Sequence, residues 1–145
     1  MSGSKERQFI DTNILVYAHD ISAGEKHEIA EDLVRRLWDY GSGCLSVQVL
    51  QEFYVTVTRK VTQPLAPPAA SRIIEDLSCW HVHIPEPADI LEAIDLQLQY
   101  KVSFWDAMII RSAQALDCGV IWSEDLNPGQ DYGGGRVINP FADRV

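Results

Sequence analysis

Gln8-Phe9-Ile10-Asp11-Thr12-Asn13-Ile14-Leu15-Val16 is the stretch on which the fold turns. Three polar residues split an otherwise apolar run. Gln8 to Ile10 reads as a short strand and Ile14 to His19 as the start of a helix. Asp, Thr and Asn are all good helix N-caps, yet a cap needs only one of them. Asp11 is therefore read both as a cap and as a candidate functional acid.

Working outward, the same alternation repeats. Glu25 to Tyr40 carries Ile29, Leu33 and Leu37 at helical spacing and stops at Gly41-Ser42-Gly43. Cys44 to Ser46 is a short strand. Val47 to Lys60 shows Val47, Leu50, Tyr54, Val57 and Val61 at intervals of three and four, a helical stripe. Ala69 to Leu77 is helical, with Pro68 suited to its first turn. His81 to Ile84 is a strand. Ala88 to Tyr100 is helical with Ile90, Leu91, Ile94 and Leu98 on one side, and Ser103 to Leu116 is a helix apolar nearly all round. Val120 to Trp122 and Arg136 to Ile138 are the last two strands. Short strands between longer helices imply an α/β domain, with a mostly parallel short-stranded sheet flanked by helices on both faces.

The chain has 145 residues, 46% hydrophobic and 23% charged. That is about one ordinary globular domain, large enough to hold a core without disulfides or structural metal. Residues 1–7 are expected to be a flexible leader, and residues 8–145 the domain. The longest apolar runs are too short to span a bilayer, and no signal segment follows the polar start, so a cytoplasmic protein is expected. Cys44, Cys79 and Cys118 are odd in number and widely spaced, which points to free thiols in apolar surroundings. Twelve basic against 21 acidic residues give a net charge of −9. That total disfavours broad nucleic-acid binding and suits bound cations or a basic partner.

In parallel α/β sheets, ligands sit beyond the carboxyl ends of the strands. Asp11 follows the first strand, and Asp125 lies three residues after Trp122. Glu52 lies beside Phe53 at the edge of its helix's apolar side, where an exposed glutamate is the competing reading. Asp106 falls in the first turn of a buried helix, on the face of Ile109 and Ile110. Ser103-x-x-Asp106 could be a capping box, but a carboxylate sharing a face with two isoleucines needs a partner or a proton. Asp125 could instead build an Asx turn ahead of Asn127-Pro128-Gly129. Glu124 is the rival acid there, since neighbours on an extended segment point opposite ways.

Should Asp11, Glu52, Asp106 and Asp125 converge, pairs about 5 Å apart at an effective dielectric of about 20 repel by roughly 3 kcal/mol each. Protons or divalent cations would be required. Oxygen-only ligation favours Mg²⁺ or Mn²⁺, the ions suited to hydrolysis of phosphodiesters.

Phe9-Ile10-Asp11-Thr12-Asn13, Leu50-Gln51-Glu52-Phe53, Phe104-Trp105-Asp106-Ala107 and Trp122-Ser123-Glu124-Asp125-Leu126, in this order, resemble the PIN-domain family, and within it the VapC-like toxins. The resemblance implies a Mg²⁺- or Mn²⁺-dependent endoribonuclease. Asp11, Glu52 and Asp106 map onto its metal ligands and catalytic acids, and Asp125 onto its fourth. The family's usual Thr-x-Asp or Thr-x-Asn is replaced here by Ser123-Glu124-Asp125. Thr12, Asn13 and Ser123 would orient ligands. The resemblance further implies an RNA substrate, a cognate antitoxin protein and a homodimer. Arg35, Arg36, Arg59, Lys60, Arg72, Lys101 and Arg111 are the available phosphate contacts.

Two rival readings weaken on inspection. An aspartyl-nucleophile phosphatase wants a second Asp two residues after the first, where this chain has Asn13. A catalytically weak RNA- or protein-binding module would be marked by a missing acid, and none is missing. His81-x-His83 has no third ligand spaced to join it and is expected to be solvated or hydrogen-bonded. Gly133-Gly134-Gly135 reads as a flexible connection. The tryptophans, Trp105 and Trp122 included, are read as packing.

Overall fold

The computed structural model describes residues 6–142. In chain order the elements are β1 (Gln8–Ile10), α1 (Thr12–Ala18), a single 3-10 turn (Ile21–Ala23), α2 (Glu25–Tyr40), β2 (Gly43–Ser46), α3 (Val47–Arg59), α4 (Pro67–Leu77), β3 (His81–His83), α5 (Pro87–Tyr100), α6 (Phe104–Ala115), β4 (Val120–Trp122) and β5 (Arg136–Ile138). The strands form one parallel sheet in the order β3-β2-β1-β4-β5. Right-handed crossovers therefore put α1 to α4 on one face, and α5 and α6 on the other. The chain leaves β1 toward β2 and later returns to β1's other side as β4. The carboxyl ends of β1 and β4 thus form the switch point of the sheet, where a crevice opens.

Coverage on both faces explains why the central strands β1, β2 and β4 are mostly buried. Phe9, Ile10, Leu45 and Ile121 are almost fully enclosed, together with Ile14, Leu15, Phe53, Ile109 and Ile110 from the helices. Gly43 is required for packing: a Cβ there would lie 2.4 Å from the Trp80 ring. Two helices begin two residues earlier than the sequence pattern suggests. α1 starts at Thr12 because Asp11 is its cap, and α4 starts at Pro67, with prolines filling its first two positions.

Two expectations need correction. Cys44 and Cys118 are buried, but Cys79 is exposed in the turn after α4. Trp105 does not pack inside, being 62% exposed, whereas Trp122 is half-buried and donates from Nε1 to Gln8 Oε1 at 2.7 Å. The apolar side of α5 faces outward. Leu91 and Leu98 are 65% and 73% exposed, and the residues turned inward are Asp89, Ala93 and Leu96.

Of the expected leader, residues 1–5 lie outside the described residues. Arg7 Nη1 donates to Leu116 O at 3.0 Å, and the Arg7 carbonyl accepts from Gly119 N–H. His81 and His83 are half-buried on β3, and His83 is hydrogen-bonded to Ser112. The glycine-rich connection is an organised turn: Gly133 and Gly134, both at positive φ, donate to one oxygen of Asp131. Among the described residues no helix is long and apolar enough to cross a membrane.

Candidate active site

The site follows from the topology. β1 is the central strand, so the residue after it lies between the ends of β2 and β4. The Asp11 N–H donates to Trp122 O at 2.9 Å, which ties the end of β1 to the end of β4. Asp11 thereby faces Ser123 and Asp125 from β4. α3 leaves the end of β2 on β1's other side and brings in Glu52. α6 precedes β4 and presents Asp106 from its first turn. Asp11, Glu52, Asp106 and Asp125 line one crevice of about 310 Å³.

Three of these carboxylates are each held by a different neutral side chain. Asp11 Oδ2 accepts from Ser123 Oγ at 2.8 Å, and its Oδ1 accepts from the Thr12 N–H at 2.7 Å. Thr12 Oγ1 donates to Glu52 Oε1 at 2.6 Å. Asn13 Nδ2 donates to Asp125 Oδ2 at 2.7 Å. The polar triplet between the apolar runs thus supplies one acid and the tethers of two others. Asp106 is placed by its helix: Ser103 Oγ accepts from the Asp106 N–H at 3.0 Å, while the carboxylate faces the crevice.

Glu124 and Asp125 point to different places. Glu124 turns away and binds Tyr17 Oη and Lys26 Nζ. The turn after β4 is capped by Ser123, whose Oγ accepts from the N–H groups of Asp125 and Leu126. Asp125 is therefore not needed for the turn, and its carboxylate stays in the crevice.

The electrostatics show a shortage of positive charge. Burial pushes the Asp11 carboxyl up from its ordinary 3.8 to about 6, against the hydrogen bonds from Ser123 and Thr12 and with added repulsion from Asp106 and Asp125. Asp106 is also raised, by burial and then by repulsion from Asp125 and Glu52. Among the described residues Lys60 is the only cationic one lining the crevice. Of the expected phosphate contacts, Arg111 is committed to Asp89 at 2.9 Å, and Arg35 and Arg36 pair with Glu31 and Asp32 along α2. Arg59, Arg72 and Lys101 do not line the crevice. Among the described residues no three His, Cys, Asp or Glu side chains are drawn together tightly enough to make a ready-formed metal cage.

A family model for the PIN domain matches residues 9–129. This chain belongs to the PIN domain family. The matched span includes all four acids and all five strands but β5. No curated protein matches the chain. Solved structures share its fold. A toxin–antitoxin complex from Klebsiella pneumoniae aligns with a TM-score of 0.66 at 18% identity, covering 92% of this chain and 98% of the other. VapC20 of Mycobacterium tuberculosis, a toxin that cleaves the sarcin–ricin loop, aligns at 0.63 and 19% identity over 81% and 91%. DNA-bound VapBC from Salmonella typhimurium aligns at 0.63 and 17% over 91% and 96%.

Within this PIN domain one participant escaped the sequence reading. Gln48 Nε2 reaches both Glu52 Oε2 and the Trp105 carbonyl at 3.2 Å, stitching α3 to the start of α6. Its position four residues before Glu52 on the same helix face was the available signal.

Proposed function

We propose that this PIN domain is a Mg²⁺- or Mn²⁺-dependent endoribonuclease acting as the toxin of a toxin–antitoxin pair. The observation that carries the reading is Asp11: a buried carboxyl pushed to about 6, facing three further acids across a crevice whose lining holds a single cation among the described residues. Such a site is short of positive charge, and its donors are all oxygen, the ligand type of hard dications. Mg²⁺ usually keeps several waters and needs only one or two carboxylates bound directly.

Asp11, Glu52, Asp106 and Asp125 would hold the ion. When bound, it supplies an activated water and neutralises charge on phosphate oxygens. The chain does the rest. Ser123, Thr12 and Asn13 fix the carboxylate orientations, and the Lys60 ammonium draws the RNA backbone toward the acids. Names of the similar solved structures support the toxin role and a protein antitoxin, and the net charge of −9 suits a basic antitoxin segment. The outward apolar side of α5 supports a homodimer, since solvent-facing aliphatic rows of this kind mark contact surfaces.

The test is cleavage of total RNA in Mg²⁺, in EDTA, and by Asp106→Asn. Cleavage in the first sample and loss in the other two is expected. Equal cleavage in all three rejects the metal-nuclease reading.

A further inference from the structure

Trp105 sits beside Asp106 in the first turn of α6, lines the acidic crevice, and leaves 62% of its surface in solvent. Its position is nevertheless fixed. Ser103 caps the helix, the Trp105 carbonyl accepts from Gln48 Nε2 at 3.2 Å, and the Phe104 ring meets the indole edge-on, with centroids 5.0 Å apart. An anchored indole with an open surface, lining the same crevice as the four acids, has the properties of a stacking platform.

α3 extends the geometry. Gln48, Glu52, Thr56 and Lys60 follow one another at four-residue intervals, and all four line the crevice. They form a row about 18 Å long at the helical rise per residue. Gln48, at one end, touches Trp105. Lys60, at the other, is exposed and carries the crevice's cation. Glu52 lies between them.

We propose that Trp105 stacks an unpaired base next to the scissile phosphate, while Lys60 contacts a backbone phosphate further along. The crevice would then take single-stranded or looped RNA and reject continuous duplex, whose bases are already stacked on one another. The inference rests on the nuclease reading for the identity of its ligand, and it is testable by binding without any cleavage.

Short random-sequence single-stranded RNA is titrated into the Asp11→Asn protein while tryptophan emission is followed, with and without Trp105→Phe. Quenching that largely disappears in the Trp105→Phe background is expected. A second measurement is affinity for the same RNA by anisotropy. Trp105→Ala should weaken it about tenfold or more, the loss expected for one base–aromatic stack, and Trp105→Phe should restore most of it. Lys60→Gln should flatten the salt dependence by about 0.7 in log–log slope, one phosphate contact on a single strand. Thermal midpoints should stay unchanged, because both side chains are exposed.

If Trp105→Ala binds as tightly as its parent, or Trp105→Phe binds no better than Trp105→Ala, the stacking role is overturned. Equal affinity for the duplex form overturns the single-strand preference. If total RNA is not cleaved in Mg²⁺ but quenching occurs and depends on Trp105, the nuclease reading falls and the stacking platform stands.

Discussion

Asp11 and Asp89 are similarly little exposed to solvent, 7% and 8%, and their carboxyls are driven in opposite directions. Asp89 lies at the start of α5, where the Glu86 N–H donates to it at 2.8 Å. Arg111 from α6 and His83 from β3 complete its shell at 2.9 and 3.3 Å. The Glu86 amide, then Arg111 and His83, hold it below the ordinary carboxylate range in spite of burial. Asp11 receives two hydrogen bonds from neutral groups, faces other acids and is pushed up to about 6. The comparison separates two uses of one residue type. Asp89 is neutralised by the fold and staples three elements together. Asp11 faces other acids and has no cationic partner among the described residues.

The largest test of this contrast exchanges the two losses. Asp11→Asn should lower RNA cleavage at least about 100-fold, the scale of losing metal-ion charge stabilisation, and leave the metal-free fold intact by circular dichroism. Asp89→Asn should do the reverse. Leaving Arg111 without its buried counter-charge should cost roughly 3 kcal/mol, seen as a thermal midpoint several degrees lower, with cleavage per folded molecule unchanged. If both variants lose activity and stability alike, the distinction fails.

A comparable effect should appear in pH titrations of stability in EDTA. The folded Asp11 carboxyl holds its proton more tightly than the unfolded one. Its contribution is therefore full below 3.8 and is lost as pH rises through about 6. The loss is about 3 kcal/mol for a shift of about two units. Asp89 has the opposite sign: its contribution is present above 3.8 and lost as pH falls through its depressed value. Thermal midpoints in EDTA should thus carry a falling component between pH 3.8 and 6 that Asp11→Asn removes and Asp89→Asn does not. Mg²⁺ should also abolish it.

The smallest effect sharpens the comparison from the side of the neutral tethers. Ser123→Ala deletes the donor to Asp11 and the acceptor of two N–H groups. A cost of about 1–2 kcal/mol in stability and about tenfold in cleavage is expected, from melting curves and initial rates on one preparation.

Most of this architecture could be read from residue order. The alternation of short strands and helices gave the layers, because burial on both faces leaves continuous apolar strands. The triplet Asp11-Thr12-Asn13 stood out because three polar residues interrupt such a run. Other features lay beyond pattern. The Asp11 to Ser123 tether joins residues 112 positions apart, which no local signal reports. Trp105 looked like packing because aromatic neighbours of a buried helix usually are. Its exposure depends on the crevice that opens at the first turn of α6. The aliphatic row of α5 was visible as a row, but whether a row faces core or solvent is decided by what lies opposite. Here Asp89, Ala93 and Leu96 took the inner side, since Asp89 had Arg111 and His83 to meet it. Arg111 looked free for phosphate for the same reason: its partner sits 22 residues away.

Because one tripeptide sets an acid and steers two more, sensitivity to change should be unevenly distributed along the gene. Codons 11 to 13 form a single point of failure, whereas α3 and α6, which carry Glu52 and Asp106, can exchange surface letters freely. That imbalance offers one route by which chains agreeing at fewer than one position in five could keep a common backbone.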